Sequence, residues 1–261
     1  MNNKIDVFIP TYNRKDSAKT HLLFKDCLDK YKITYLFHTQ EEAEAYKLPE
    51  WCIKHVSGVK TGITGCCLQK RYAHRIATSE YFCILDDDIG SFYGVNGAVG
   101  VSEVIEDTLA IMKKENCFMG GASPSANRFY LSDKYSLCGR LVGYFSIFKR
   151  GSLVEDPLSL CCINEDVSIT CSYIIKYGKV VINKKYCSDY KMYQSGGIGS
   201  KKHREENGII QEAILFVDKY YPIIRFSKKF GEVEFCNKRE GFSELIEHDW
   251  VVAVKHLYGI K

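Results

Sequence analysis

Residues 81–89 read YFCILDDDI, five apolar or aromatic residues followed directly by three aspartates. An apolar run without alternation is typical of a strand buried on both faces of a sheet. In open α/β sheets, ligands bind at the carboxyl ends of the strands. The sequence therefore predicts a buried strand that ends in an acidic turn at a ligand-binding edge.

Strand and helix patterns alternate on both sides of this run. The first 90 residues predict strands at 5–9, 33–39 and 51–57 and helices at 17–28, 41–47 and 62–78. The later residues predict strands at 117–121, 141–148 and 179–186 and helices at 101–115, 166–177 and 208–220. This order indicates one α/β domain over residues 1–261, with a mixed, mainly parallel sheet flanked by helices.

Composition excludes several classes of protein. Of 261 residues, 46% are hydrophobic and 26% charged, which indicates a globular chain rather than a disordered one. No apolar run reaches the roughly 20 residues of a membrane span, and the first residues lack a signal-peptide core. Twelve cysteines occur without a C-x-x-C pair, so the usual zinc spacing is missing. We expect a cytoplasmic protein (host cytoplasm if the source is viral) with reduced thiols and no membrane partner.

The aspartate triplet is the strongest candidate site. Asp86, Asp87 and Asp88 repel one another, and a divalent cation would relieve this repulsion because hard cations take carboxylate oxygens. The alternative is a solvated acidic turn or an N-cap for a following helix. An EF-hand does not fit, because its D-x-[DN]-x-[DN]-G loop is missing.

Two further motifs lie in the second half. Glu165 and Asp166 follow Asn164 at the start of a predicted helix, where they are either N-cap acids or a general base. Residues 194–204 read QSGGIGSKKHR and are either an exposed loop or a loop that closes over a diphosphate. The loop's candidate residues for diphosphate or acceptor binding are Gly196, Gly197, Lys201, Lys202 and Arg204.

These residues resemble the GT-A-fold nucleotide-sugar glycosyltransferases, mainly over the first 90 residues. The matching motifs are PTYNR at 10–14, the Lys70-Arg71 pair, ATSEY at 77–81 and the aspartate triplet. The resemblance implies a GT-A-like fold with a nucleotide-sugar half at 1–90 and an acceptor half at 91–261. It also implies inverting transfer, with Asp166 favoured over Glu165 as the base.

The same resemblance assigns roles in donor binding. It implies that Asp86 lies near the ribose and that Asp88 holds the Mn²⁺ or Mg²⁺ that bridges the diphosphate, with Asp86 and His203 as further metal candidates. The remaining residues implied to bind the donor are Thr11, Tyr12, Asn13, Arg14, Lys70, Arg71 and Asp87. For the basic side chains, surface charges on a helix are the alternative.

A closer resemblance is to the TET-associated glycosyltransferases, relatives of the base J glucosyltransferase. The shared features include the acidic run EEAEAY at 41–46, the D-D-D-I step, the later E-D pair and the basic Gly-Gly loop. The resemblance implies transfer of a sugar, glucose from UDP-glucose being the first expectation, to the hydroxyl of a modified pyrimidine in DNA. Two alternatives stay open: a glycan, lipid or protein acceptor, and a metal- and nucleic-acid-binding module without activity.

Overall fold

The computed structural model describes residues 4–59, 65–155, 164–190, 209–220, 223–227 and 232–235. Its strands are β1 (Ile5–Pro10), β2 (Tyr31–Phe37), β3 (Ile53–Val56), β4 (Tyr81–Leu85), β5 (Phe92–Gly94), β6 (Gly97–Val99), β7 (Met119–Ala122), β8 (Tyr135–Ser136), β9 (Phe145–Lys149), β10 (Val181–Asn183), β11 (Tyr186–Ser188), β12 (Ile224–Ser227) and β13 (Glu232–Phe235). Its α-helices are α1 (Gln40–Ala45), α2 (Gly65–Ile76), α3 (Val101–Lys114), α4 (Glu165–Tyr177) and α5 (Ile209–Tyr220).

Eight strands form a central sheet in the order β3-β2-β1-β4-β9-β7-β10-β8. Within the described ranges, four of its seven strand pairings are parallel and three are antiparallel. The predicted α/β class, with a mixed and mainly parallel sheet flanked by helices, is therefore confirmed. The arrangement is compatible with a Rossmann-like fold.

Strand β4 is buried along its whole length, as its apolar run predicts. Phe82 and Ile84 point into a core shared with α2, α4 and α5, whereas Cys83 and Leu85 point into a second core shared with α3. Because successive side chains of a strand alternate between faces, a strand between two cores must be apolar at every position.

Strand direction brings several loops to one edge of the sheet. Strands β1 and β4 are parallel, so the residues after both strands lie at the same edge. Strand β9 is antiparallel to β4 and to β7, so β7 runs parallel to β4. The residues that follow β7 and those that precede β9 therefore lie at the edge that carries the aspartate triplet.

The predicted helix at 17–28 is wrong. The structure has only a short 3-10 helix there, Thr20–Phe24. The backbone N–H groups of Lys19 and Thr20 donate to the carbonyl oxygen of Asp87, and the Thr20 hydroxyl donates to that of Asp86 at 2.6 Å. These long-range contacts use the groups that would otherwise begin an α-helix, so tertiary structure overrides the local pattern.

Three other differences occur in the second half. Residues 179–186 form two strands instead of one: β10 joins the central sheet, and β11 pairs with β5 in a separate three-stranded sheet. The β5–β6 hairpin, just after the aspartates, was not predicted. The strand predicted at 141–148 begins only at Phe145, because the residues before it turn into the candidate site.

Most of the described cysteines are buried, as expected for small apolar side chains. None of the described helices is long and apolar enough to cross a bilayer.

Candidate active site

The aspartate turn is held by its own backbone. The N–H of Asp86 donates to the carbonyl oxygen of Tyr144 at 2.9 Å. The carbonyl oxygen of Asp87 accepts N–H groups from Lys19 and Thr20 at 2.9 and 3.2 Å. The three carboxyl groups therefore start from a fixed backbone, which a binding site for an ion or a diphosphate requires.

The loop after β1, which carries PTYNR, packs directly on this turn. A nitrogen of the Arg14 guanidinium, Nη1, lies 2.8 Å from Asp87 Oδ1 and 2.6 Å from Asp88 Oδ2. The Thr11 hydroxyl is in short contact with Asp87 Oδ2. Asp87 is buried, and burial raises its pKa, which Arg14 and Thr11 only partly offset. Asp87 therefore fastens the loop to the turn from inside, instead of facing a ligand.

Tyr46 completes this network and was not predicted as a site residue. Its hydroxyl oxygen accepts the backbone N–H of Arg14 and also lies next to Thr11 Oγ1; both distances are 2.8 Å. The Thr11 hydroxyl has one proton, which it donates to Asp87 in a hydrogen bond. The Tyr46 hydroxyl therefore donates to Thr11. Asn13 adopts the left-handed conformation, with φ 52°, which asparagine tolerates better than most residues. The loop is thus fixed by contacts from two separate segments, the aspartate turn after β4 and Tyr46 at the end of α1.

Tyr12 and Asn13 are the donor-binding candidates left at the surface of this loop. Tyr12 is half-buried and Asn13 is exposed. Thr11 and Arg14 have their polar groups turned toward the aspartates.

Asp86 differs from its two neighbours. Within the described residues its carboxyl group has no hydrogen-bond or ion-pair partner, although it is largely buried. Burial raises its pKa to about 7; the charge of Lys70 opposes the rise, whereas Asp88, Glu165 and Asp87 add to it. A carboxylate held among other carboxylates without a partner is a position that a cation would stabilise.

The oxygen donors of Asp86 and Asp88 therefore fit a hard divalent cation in chemistry and in charge. The described part of the chain contains no group of three or more His, Cys, Asp or Glu side chains placed to hold a metal ion. His203, the other expected ligand, lies outside the described residues.

The start of α4 lies beside the aspartates, and Lys70 connects the two. Lys70 Nζ lies 2.6 Å from Glu165 Oε1 and 3.2 Å from the carbonyl oxygen of Gly143. Both charged side chains are buried. A Cβ atom on residue 143 would lie 2.7 Å from Lys70 Nζ and 2.9 Å from Glu165 Oε1, so only glycine leaves room for this pair. The charge of Glu165 is thus balanced by that of Lys70.

Asp166 is engaged in a different way. Its Oδ2 accepts two N–H groups of Arg140, at 3.1 and 3.0 Å, and its Oδ1 accepts the backbone N–H of Val167 at 2.9 Å. The guanidinium and the first turn of the helix therefore fix the orientation of this carboxylate. The sequence had no signal for Arg140, which lies 26 residues away on an irregular segment.

Two stacked tyrosines lie near these groups. Tyr190 stacks on Tyr144, with ring centroids 4.5 Å apart, and its hydroxyl donates to the carbonyl oxygen of Pro124. Burial raises the pKa of Tyr190; the charge of Arg140 opposes this rise, and those of Asp166 and Asp86 add to it.

The structure separates the predicted basic pair. Lys70 faces the acidic groups, whereas Arg71 pairs with Glu155 and lines a small cavity together with His74. Lys70 lines the same cavity, and the contact of Arg71 with the donor stays a prediction.

The glycine-rich loop lies outside the described residues, and so do its candidates Gly196, Gly197, Lys201, Lys202 and Arg204. No protein-family model matches the chain, and no curated protein matches it either.

Proposed function

We propose that the chain is a metal-dependent glycosyltransferase that binds a nucleotide sugar at the carboxyl edge of β1 and β4. The observation that carries this proposal is Asp86, a largely buried carboxyl group beside Asp88 with no partner among the described residues. The turn carries three carboxyl groups, and Arg14 pairs with two of them, so the three aspartates and Arg14 together have a formal charge of −2. A GT-A-like arrangement of the sheet belongs to the same proposal.

Asp86 and Asp88 would hold Mn²⁺ or Mg²⁺ there, with His203 as the expected further ligand. When bound, such an ion stabilises a departing nucleoside diphosphate as a Lewis acid. Arg14 orients Asp88 by its 2.6 Å contact, and Lys70 adds a buried positive charge close to Asp86. Tyr12 and Asn13, at the surface of the first loop, are then the residues next to the nucleotide.

Asp166 is the proposed general base. Arg140 and the backbone N–H of Val167 orient its carboxylate, which would accept the proton of an acceptor hydroxyl as that oxygen attacks the anomeric carbon and the nucleoside diphosphate departs. A single displacement of this kind inverts the anomeric centre. Glu165 is less suitable, because both side chains of its ion pair with Lys70 are buried, whereas Arg140, the partner of Asp166, is partly exposed.

The proposed acceptor is the hydroxyl of a hydroxylated pyrimidine base in DNA, and the proposed donor is UDP-glucose. A base must leave the helical stack to reach such a site, so a single-stranded or flipped-out base is expected. The support for this acceptor is the resemblance of the sequence motifs, together with a net charge of +4.

The test has two arms. Hydrolysis of UDP-glucose, or of another nucleotide sugar, is measured with Mn²⁺ and with a chelator, and metal-dependent hydrolysis is expected. Failure of every nucleotide sugar to react or to shift the melting temperature would contradict the proposal and favour a binding module. In the second arm, labelled donor is offered with 5-hydroxymethylpyrimidine DNA or with glycans, and label in glycans alone would exclude the DNA acceptor.

A further inference from the structure

Phe129 and Tyr130 form an exposed aromatic pair on the loop that follows β7. Phe129 is 87% exposed and Tyr130 65% exposed, and their rings meet edge to face at 5.7 Å. Phe129 is the most exposed large apolar side chain among the described residues. Aromatic side chains with so large an exposed fraction are typical of a surface that binds a partner.

The loop that carries these rings is ordered by its own hydrogen bonds. The side chain of Asn127 accepts the backbone N–H of Phe129 at 3.0 Å and begins a short 3-10 helix, Arg128–Tyr130. The N–H of Tyr130 donates to the carbonyl oxygen of Asn127 at 3.1 Å. The guanidinium of Arg128 stacks on the Tyr93 ring at 3.3 Å. The rings are therefore displayed by a fixed backbone, which lowers the entropy cost of binding.

The loop begins at the candidate active site. The backbone N–H of Asp86 donates to the carbonyl oxygen of Tyr144. The Tyr144 ring stacks on that of Tyr190, whose hydroxyl donates to the carbonyl oxygen of Pro124. Phe129 follows Pro124 by five residues, so it lies within about 18 Å of it along an extended chain. A polymer bound on the rings could therefore place one of its residues at the acidic edge.

Basic residues lie on the loop that carries the rings and on the β10–β11 turn that is hydrogen-bonded to it. Arg128, Lys134 and Lys184 are exposed, and a backbone hydrogen bond of 3.0 Å joins Lys184 to Lys134. Asp133 is the acidic residue of the segment between Arg128 and Lys134. Exposed aromatic rings among cations match a strand of nucleotides, whose bases stack on rings while its phosphates meet positive charge.

We propose that Phe129 and Tyr130 are a stacking surface for the bases of single-stranded or locally unpaired DNA, with Arg128, Lys134 and Lys184 contacting its phosphates. The biological role of this surface rests on the proposed function, because it would guide a base to the transferase site. The binding itself can be tested without any transfer.

The test measures anisotropy of a labelled single-stranded oligonucleotide with the full chain at low salt, and then over a salt series. Wild type is expected to bind, with an affinity that falls as salt rises. Phe129→Ala/Tyr130→Ala should weaken binding by tenfold or more, whereas Phe129→Trp should retain it and show quenching of the new indole. Ile175→Ala, at an exposed apolar residue of α4, is the matched control and should bind like wild type.

Three results would overturn the inference. They are no binding by wild type at low salt, equal binding by the double alanine variant, and ring-dependent binding to vesicles of anionic lipid in place of DNA. Hydrolysis of UDP-glucose by wild type separates the two proposals. A protein that hydrolyses the donor but binds no DNA refutes this inference alone, and one that binds DNA through the rings but never consumes a donor refutes the transferase alone.

Discussion

The site contains two acidic clusters that differ in how their charge is balanced. At the end of β4, Arg14 pairs with Asp87 and Asp88, whereas Asp86 has no ion-pair partner among the described residues, which leaves an excess of negative charge. At the start of α4, Glu165 pairs with Lys70 and Asp166 with Arg140, so each carboxylate has its own cation.

This difference separates two kinds of chemistry. An unbalanced cluster attracts a cation, because burying an unpaired carboxylate beside other carboxylates costs free energy that a cation would offset. In a balanced cluster each carboxylate is already paired with a cation, so no metal ion is needed to offset its charge. The two clusters cannot be told apart by their acidic residues alone. They differ in the basic side chains that face them.

The largest expected effect comes from the unbalanced cluster. Asp88→Asn should lower metal-dependent hydrolysis of the nucleotide sugar at least about a thousandfold, equal to about 4 kcal/mol in transition-state stabilisation, because a neutral amide is a poor ligand for a divalent ion. The measurement is the initial rate over a range of Mn²⁺ concentrations. Full activity at high Mn²⁺ would show weakened affinity only, and wild-type behaviour throughout would remove Asp88 from the site.

The balanced cluster should respond in stability. Lys70→Met leaves Glu165 buried without its ion-pair partner, and such losses cost about 3 kcal/mol. The free energy of unfolding in urea measures this change. The double variant Lys70→Met/Glu165→Leu should regain much of the loss, because an apolar pair replaces both charges. A single variant as stable as wild type would show that the pair contributes nothing.

Asp166→Asn tests the base in the same cluster. Donor hydrolysis should persist, whereas transfer to the acceptor should fall at least about a hundredfold, because the amide cannot take a proton. Both rates are measured on one preparation, so the hydrolysis rate serves as the internal control. Normal transfer by this variant would exclude Asp166 as the base.

The pH dependence of stability should distinguish Asp86 from a buried group behind the balanced cluster, His74. Burial, with a contribution from Arg71, lowers the pKa of His74 to about 3, and the ring packs against Phe82 and Phe148. A histidine whose pKa is lower in the folded state stabilises the fold above its unfolded pKa and loses that effect as pH falls. Asp86, with its pKa raised to about 7, has the opposite sign and stabilises the metal-free fold as pH falls.

Each of these two contributions is about 2 kcal/mol between pH 7 and pH 5, so they nearly cancel in the wild type. In chelator, His74→Phe should therefore become more stable from pH 7 to pH 5, and Asp86→Asn should become less stable. Urea unfolding at both pH values measures each change. Parallel behaviour of the two variants would contradict this assignment of signs.

The sequence predicts the parts of this molecule that depend on local pattern. The apolar run of β4 shows burial on both faces, and the triplet after it marks the edge. The helix predicted at 17–28 does not form, because Lys19 and Thr20 donate hydrogen bonds to the carbonyl oxygens of Asp86 and Asp87, far along the chain.

The same limit applies to the site. Asp86, Asp88 and Lys70 are found from their motifs, but Tyr46 and Arg140 are not, because their partners come from distant elements. Their roles are set by contacts across the fold, which no spacing in the sequence records.

Calorimetric titration of UDP into the protein tests the central claim most directly, namely that the unbalanced aspartates hold a metal ion against a nucleotide diphosphate. With Mn²⁺ present, we predict saturable binding at one site per chain, lost in chelator and lost in Asp86→Asn/Asp88→Asn. Equal binding with and without metal, or undiminished binding by the double variant, would contradict the account.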